Sequence, residues 1–243
     1  MTYKPSGYFE EPFTTQQALR EHCADQPPGT VIVRNAVPPG VLIVREFLSP
    51  ALRQAALDYA ASSAAVPATV QDIDAQGDDP RAHRSTIRVT DHIDTTGIDD
   101  WLAPLLTAAL QNVAAPHYGS AFAWFERPAL LRYRSGGHYV PHADADNWIA
   151  NEKRWQRAVD RDISILLYLD ENYEGGDLDF PNFRFRLKPS AGMLICFPSD
   201  HRYVHCAHEV TRGERHVLVS WAAKRDTPKV RDEAPGGAIV LPG

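Results

Sequence analysis

From about residue 121 onward the sequence is a succession of short β-like runs, and this feature limits the possible folds more than any other. The runs are about four to eight residues long and rich in valine, isoleucine, leucine and aromatic residues. Glycine, proline and aspartate separate them. Such a pattern predicts antiparallel strands arranged as a sandwich or barrel. The runs include ALLRY, HYVPH, ISILLYL, GMLICF and RHVLVSW.

Helices are predicted before this β region. A strand and then a helix follow Gly40, and Ser49 and Pro50 fit the N-cap and the first turn of that helix. Leucines at helical spacing predict a second helix over IDDWLAPLLTAALQNVAA. We therefore expect one α+β domain that is mostly β, in which helices brace one face of the strands. Its predicted parts are an N-terminal extension with supporting helices (1–120), a β core (121–225) and a C-terminal tail (226–243).

The charge and the cysteines exclude several classes of partner. A net charge of −6 offers no basic surface for nucleic acid. The three cysteines are widely separated, so they predict neither a disulfide framework nor a Cys-x-x-Cys metal site, which favours a reducing cytoplasm. The apolar runs are too short to cross a bilayer. We expect a cytoplasmic protein with no membrane contact, and the sequence does not predict its oligomeric state.

Two His-x-Asp triplets are candidate metal ligands. His142 and Asp144 follow two predicted strands joined by a Gly-Gly turn, and residues two apart on a strand point to the same face. These two side chains can therefore reach one ion. His92 and Asp94 precede a predicted helix among threonines and acidic residues, where turn and capping roles are the better interpretation.

A facial iron site uses two histidines and one carboxylate, so a distant histidine is also required. The candidates are His201, His205, His208 and His216. His205 differs from the others because Arg215 follows ten residues later, on what we predict to be the next strand after a tight turn. An inward-facing arginine is costly in a β core unless it binds an anion, and its planar guanidinium suits a carboxylate.

The chain resembles the Fe(II)/2-oxoglutarate-dependent dioxygenases of the prolyl-4-hydroxylase-like branch. The resemblance covers roughly residues 125–225 and rests on the order and spacing of three segments. These are LLRYRSGGHYVPHADAD, ISILLYLDENYEGGDLDF and GMLICFPSDHRYVHCAHEVTRGERHVLVSW.

The resemblance implies a double-stranded β-helix, or jelly roll, with Fe(II) as cofactor and 2-oxoglutarate and O2 as cosubstrates. It implies His142, Asp144 and His205 as iron ligands. It further implies that Arg215 binds the distal carboxylate of 2-oxoglutarate, with Tyr133 as a second donor and Tyr139 as a pocket residue. Gly175 and Gly176 are interpreted as a hairpin turn without a chemical role.

The segment between Asp144 and the next core strand is long enough to have structure of its own. Trp148 and Trp155 are seven residues apart, as on one helical face, with Arg157 nearby. The segment is predicted to be either an amphipathic helix packed on the barrel or a lid that presents these side chains to an anionic substrate. A second candidate rim contains Arg84 and Arg88.

The leading functional prediction is hydroxylation of an unactivated C–H bond in a small molecule, such as an amino acid or specialised metabolite, with release of succinate and carbon dioxide. Hydroxylation of a peptide or protein residue such as proline is the alternative. A non-catalytic, cupin-like metal-binding domain is the alternative of another class. It is disfavoured because the carboxylate and the arginine are both present. A nucleic-acid demethylase is disfavoured by the acidic charge.

Overall fold

The computed structural model describes residues 37–68, 87–149 and 151–242. Two antiparallel sheets face each other in these residues, and helices cover the outer side of the larger sheet.

The helices are α1 (Pro50–Ser62), α2 (Asp99–Ala109) and α3 (Ala115–Tyr118), with a π-helical turn at Leu110–Ala114 between the last two. The first strands are β1 (Leu42–Val44), β2 (Ala65–Pro67), β3 (Arg88–Val89), β4 (Asp91–Ile93), β5 (Phe122–Phe125), β6 (Ala129–Tyr133), β7 (His138–His142), β8 (Asp146–Ile149) and β9 (Arg154–Arg157). The others are β10 (Ile163–Tyr168), β11 (Glu174–Gly175), β12 (Leu178–Phe180), β13 (Phe185–Leu187), β14 (Leu194–Pro198), β15 (His205–Ala207), β16 (Val210–Arg212), β17 (Arg215–Lys224) and β18 (Ile239–Val240).

The larger sheet has the strand order β1-β14-β10-β17-β6-β4-β2, and β5 and β18 extend it along the far end of β17. The smaller sheet has the order β13-β12-β15-β7-β3. Every strand pair is antiparallel, as the sequence predicts. The arrangement is that of a double-stranded β-helix core.

Both faces of the larger sheet are buried, which explains why its central strands are almost continuously apolar. On β10, Leu166 and Tyr168 face the smaller sheet, whereas Ile165 and Leu167 face the helices. Successive side chains of a strand point to opposite faces, so one strand contributes to two cores. The inner core lies between the sheets and surrounds the candidate site.

The predicted helices form and pack on the larger sheet. The Leu52 backbone nitrogen donates to the Ser49 hydroxyl at 3.4 Å, and Pro50 is the first residue of α1, as predicted for this helix start. Leu102 and Leu106 of α2 are buried in the outer core. Among the described residues, no helix is long and apolar enough to span a membrane.

The segment after Asp144 is not a helix. It forms the β8–β9 hairpin, in which Trp148 and Trp155 lie directly opposite each other on paired strands. A separation of seven residues fits both a helical face and a cross-strand pair around a turn, and tryptophan favours the strand. The helix prediction is therefore wrong.

The predicted C-terminal tail returns to the larger sheet. Its strand β18 pairs with β5, and Leu241 is buried in the outer core. The Arg225 side chain donates to the carbonyl of Leu241 at 2.8 Å. The short apolar run near the end of the chain provides the side chains for this docking.

Candidate metal centre

Three side chains converge between the two sheets. His142 is the last residue of β7, His205 is the first residue of β15, and the two occupy directly opposite positions in the antiparallel register. Asp144 lies in the bend just after β7, so the strand ladder does not fix its side chain. The Nε2 atom of each histidine is 3.6 Å from a carboxylate oxygen of Asp144. One donor atom from each of the three residues lies within 4.8 Å of the others.

Backbone carbonyl groups orient both imidazole rings. The Nδ1 atom of His142 lies 2.8 Å from the Val140 carbonyl oxygen, and Nδ1 of His205 lies 3.2 Å from that of Tyr203. A carbonyl oxygen only accepts, so each Nδ1 donates its proton and leaves the Nε2 lone pair directed at Asp144. Metal-binding histidines commonly have this arrangement.

The charge states also suit a cation. Burial lowers the pKa of His142 to about 3, and the neighbouring His205 contributes to the shift. Burial likewise lowers the pKa of His205. Burial would raise the pKa of Asp144, but His205, His142 and a hydrogen bond from Ser164 outweigh it and lower this pKa to about 2. Two neutral imidazoles and one carboxylate fit a facial Fe(II) site.

A second described cluster of possible ligands is less suited to a metal. Asp179, Cys206 and His208 bring their donor atoms within 4.8 Å of one another. However, the buried guanidinium of Arg186 already lies 3.1 Å from the Asp179 carboxylate and neutralises it.

Arg215 faces the first cluster across a cavity of about 380 Å³. Its side chain is only 1 % exposed and donates to the carbonyl oxygen of Gly176 at 2.6 Å. Its guanidinium carbon lies 4.0 Å from the ring centroid of Tyr133. No described residue accepts from its Nε. A buried cation with an unused donor fits an anion such as a carboxylate.

His205 and Arg215 are not on consecutive strands, contrary to the sequence-based expectation. They belong to β15 and β17, and the short strand β16 lies between these strands in the chain. Because β15 is in the smaller sheet and β17 in the larger one, the two side chains approach from opposite walls of the cavity.

Gly176 also differs from its predicted role. Its backbone has φ +68°, which favours glycine, and its carbonyl oxygen anchors Arg215. A glycine interpreted as a simple turn residue therefore helps to position the predicted carboxylate-binding group.

The predicted pocket tyrosines both line the cavity. Tyr139 stacks on His142, with ring centroids 3.6 Å apart. The guanidinium carbon of Arg88 lies 4.9 Å from the Tyr139 centroid, so this predicted rim residue reaches the site. Its proposed companion, Arg84, lies outside the described residues.

The predicted substrate residues of the hairpin do not line the cavity. Trp148 and Trp155 contact each other, and Trp155 stacks on His201. Arg157 pairs with Asp162 at 2.9 Å. These interactions stabilise the hairpin and leave the cavity wall to other residues.

The remaining candidate histidines have other partners. The Nδ1 atom of His201 lies 2.6 Å from the Asp146 carboxylate, and that of His216 lies 2.6 Å from the Asp170 carboxylate. In the other triplet, Asp94 accepts from the hydroxyl of Thr96 at 3.0 Å, which is the turn role expected for it.

Two residues that line the cavity, Arg161 and Tyr168, were not predicted as site residues from the sequence. Arg161 lines the cavity, forms two hydrogen bonds to Glu126 and stacks on Trp221 with its guanidinium carbon 3.7 Å from the ring centroid. Tyr168 also lines the cavity, and burial raises the pKa of its hydroxyl, which stays protonated. The presence of basic and aromatic residues was visible in the sequence, but their convergence depends on strand register.

Residues 128–223 match the model of a protein family described as the 2OG-Fe(II) oxygenase superfamily. A PKHD-type hydroxylase from Parvibaculum lavamentivorans is 35% identical over 99 residues, which cover 40% of this chain and 42% of that protein. Human Prolyl 3-hydroxylase 3 is 42% identical over 66 residues, or 25% of this chain and 9% of that protein. The chain thus spans less than half the length of these two relatives.

Solved structures have the same fold. A Pseudomonas putida prolyl-4-hydroxylase has a TM-score of 0.53 and 22% identity, covering 87% of this chain and 100% of that one. A Trichoplax adhaerens prolyl hydroxylase, solved with a hypoxia inducible factor peptide fragment, has a TM-score of 0.55 and 19% identity over 76% of this chain and 83% of that one. Residues 128–223 therefore match the 2OG-Fe(II) oxygenase superfamily, and the chain shares the fold of these solved prolyl hydroxylases.

Proposed function

We propose that the protein is an Fe(II)- and 2-oxoglutarate-dependent dioxygenase that hydroxylates a residue of a peptide or protein, with proline as the first candidate. One observation carries the catalytic part of this proposal. A single cavity is lined by His142, Asp144 and His205 and also by the buried cation Arg215. A reaction that uses 2-oxoglutarate needs a metal site for its keto acid end and a cationic site for its distal carboxylate, and this cavity contains candidates for both.

Each wall of the cavity has a separate task. His142, Asp144 and His205 would hold Fe(II) through two neutral imidazoles and one carboxylate. Bound there, the metal supplies the chemistry that couples conversion of 2-oxoglutarate to succinate and carbon dioxide with transfer of an oxygen atom to a C–H bond. The rigid strands β7 and β15 keep the two histidines at a fixed separation before any ligand arrives.

The opposite wall would bind the distal carboxylate of the cosubstrate. Arg215 provides the charge, and its contact with the ring of Tyr133 and its hydrogen bond to Gly176 restrict its orientation. The protonated hydroxyl of Tyr168 is an additional donor on the same wall. Tyr133 contributes ring contact to Arg215, and its predicted hydroxyl donation remains part of this proposal.

Two observations support a peptide rather than a free metabolite. The relatives above are named as prolyl or PKHD-type hydroxylases, and one structural neighbour was solved with a peptide. In addition, a second cavity of about 670 Å³ shares Arg88 with the first and contains Arg132 and His138 in its wall. The prediction of a free small molecule stays a prediction, and the following assay tests it directly.

The assay measures succinate release by the Fe(II)-loaded protein with three probes: proline-containing peptides, the same peptides with alanine in place of proline, and free L-proline with other amino acids. The expected result is succinate with the first group alone, together with one added oxygen atom on the prolyl residue. Asp144→Ala is the inactive control. Turnover of a free amino acid without any peptide turnover would overturn the substrate assignment.

A further inference from the structure

Asp144 needs a positioning group because it lies outside the strand ladder that holds the two histidines. Its two carboxylate oxygens lie at equal distances from the two histidines of the candidate metal centre. Oδ1 is 3.6 Å from Nε2 of His142, and Oδ2 is 3.6 Å from Nε2 of His205. From these distances alone, the carboxylate could bind a cation through either oxygen or through both.

Ser164 breaks this symmetry. Its hydroxyl donates to Oδ2 of Asp144 at 2.6 Å, and Ser164 forms no hydrogen bond with Oδ1. Ser164 is 0 % exposed and lies inside β10, where it is paired with Phe197 on one side and Trp221 on the other. The donor is therefore held by two neighbouring strands and is shielded from water, which makes a charge-assisted hydrogen bond strong.

A second serine fixes the direction of this hydrogen bond. The hydroxyl oxygens of Ser164 and Ser199 are 2.8 Å apart, and both residues are buried. The single hydroxyl proton of Ser164 is donated to the carboxylate, so Ser199 must donate to the oxygen of Ser164. The result is a chain of donors from Ser199 through Ser164 to Asp144.

We propose that Ser164, supported by Ser199, is a positioning residue that engages Oδ2 of Asp144 so that the carboxylate binds iron through Oδ1 alone. This inference rests on the proposed function. A carboxylate that binds through both oxygens takes one more coordination position than a carboxylate that binds through one. The hydrogen bond thus preserves a position for 2-oxoglutarate or dioxygen without taking part in the chemistry.

The test compares metal affinity with cosubstrate affinity in Ser164→Ala. Mn(II) binding is followed by titration, and 2-oxoglutarate binding to the anaerobic Fe(II) protein is followed by visible absorption. We expect 2-oxoglutarate to bind about tenfold more weakly, because Oδ2 now competes for its position, while Mn(II) affinity changes less than about threefold. A merely structural role would lower both affinities together.

Two control variants and one second test variant accompany Ser164→Ala. Ser220→Ala removes another buried serine hydroxyl, one that donates to the Glu126 carbonyl just after β5, and should leave both affinities unchanged. Ser164→Thr keeps the hydroxyl and should restore 2-oxoglutarate binding. Ser199→Ala should weaken 2-oxoglutarate binding in the same direction, by about threefold, and it keeps the proposal testable if Ser164→Ala does not fold.

The experiment distinguishes failure of the Ser164 positioning role from failure of the proposed function. If 2-oxoglutarate binds to Ser164→Ala and to Ser199→Ala as tightly as to the unaltered protein, or if metal and cosubstrate affinities fall in parallel, the positioning role is wrong. If the unaltered protein itself binds no 2-oxoglutarate, the proposed function is wrong, and the positioning role of Ser164 is then wrong as well.

Discussion

His142 and His205 face each other from directly paired positions on two antiparallel strands, with their ring centroids 4.3 Å apart. The strand pairing sets this separation, so the folded backbone positions two of the three candidate metal ligands. Asp144 then completes the cluster from the adjoining bend.

Removal of one imidazole should abolish tight metal binding. We expect His205→Ala to weaken Mn(II) binding by at least about a hundredfold, since loss of an outer partner of a ligand already costs up to that amount. Electron paramagnetic resonance titration of free Mn(II) measures the affinity. The matched control is His208→Ala, three residues along the chain, where the side chain contacts Asp179 and lies outside the centre. Equal losses in the two variants would contradict the ligand assignment.

The lowered pKa values of His142 and His205 predict that metal binding at about pH 6.5 releases less than one proton from these two ligands. An ordinary histidine with a pKa of 6.5 is half protonated at about pH 6.5, so two such ligands would release about one proton per metal. Because the pKa of His142 is about 3 and that of His205 is also lowered, we expect a release clearly below one proton per metal. Calorimetric titrations in two buffers with different heats of ionisation measure it, and release of about one proton would refute the shift.

The lowered pKa of His142 also makes the stability of the folded protein depend on pH. Between pH 6.5 and about 3, the unfolded chain binds a proton at His142 that the folded chain does not bind. The free energy of unfolding of the metal-free protein should therefore have its full His142 contribution above pH 6.5 and lose it progressively as the pH falls. Denaturant unfolding of the protein and of His142→Asn across this range checks the direction. A variant with an unchanged pH dependence would contradict it.

A matched pair of glycine variants tests how Arg215 is held. Gly176 and Gly136 both have positive φ, at +68° and +86°, so alanine at either position should cost about 1 kcal/mol of stability. Only at Gly176 would the added Cβ meet a neighbour, Tyr173, at 2.9 Å. We expect Gly176→Ala, but not Gly136→Ala, to weaken 2-oxoglutarate binding, because the shifted carbonyl no longer anchors Arg215. Similar affinities in both variants would show that this anchor is unimportant.

The β8–β9 hairpin should depend on its aromatic contacts. An isolated two-stranded hairpin is marginally stable, and Trp155 contacts both Trp148 and His201. We expect Trp155→Ala to lower the free energy of unfolding by about 2 kcal/mol. It should also speed amide hydrogen exchange in residues 146–157. The neighbouring exposed position, Gln156→Ala, is the control, and an equal effect there would argue against the stacking account.

The sequence was informative where its pattern follows from one strand or one helix. The alternating and continuous apolar runs predicted the strands, Ser49 and Pro50 predicted the start of α1, and the spacing of His142 and Asp144 predicted that they approach one point. The resemblance added His205 and Arg215, and both line the observed cavity. Each of these relations is local or carried by a recognisable motif.

Relations set by the packing of distant strands were not predictable in this way. Ser164 stands in an almost wholly apolar run of the sequence. Its hydrogen bond to Asp144 forms only because β10 lies beside the bend that contains Asp144. The spacing of Trp148 and Trp155 suited two structures, and the cross-strand pairing decided between them. Gly176 was interpreted by its turn preference, whereas its carbonyl group serves Arg215 on another strand.

If one cavity binds both Fe(II) and 2-oxoglutarate, anaerobic visible spectroscopy will detect the complex of the two with the protein. Addition of 2-oxoglutarate to the Fe(II) protein should produce a weak visible charge-transfer band. The band should be absent in Asp144→Ala and should require far more 2-oxoglutarate in Arg215→Ala, while Arg212→Ala, with its exposed side chain on β16, should behave like the unaltered protein. Absence of the band in the unaltered protein would show that the cavity does not bind the two together, and an unchanged titration in Arg215→Ala would rule out Arg215 as the carboxylate-binding group.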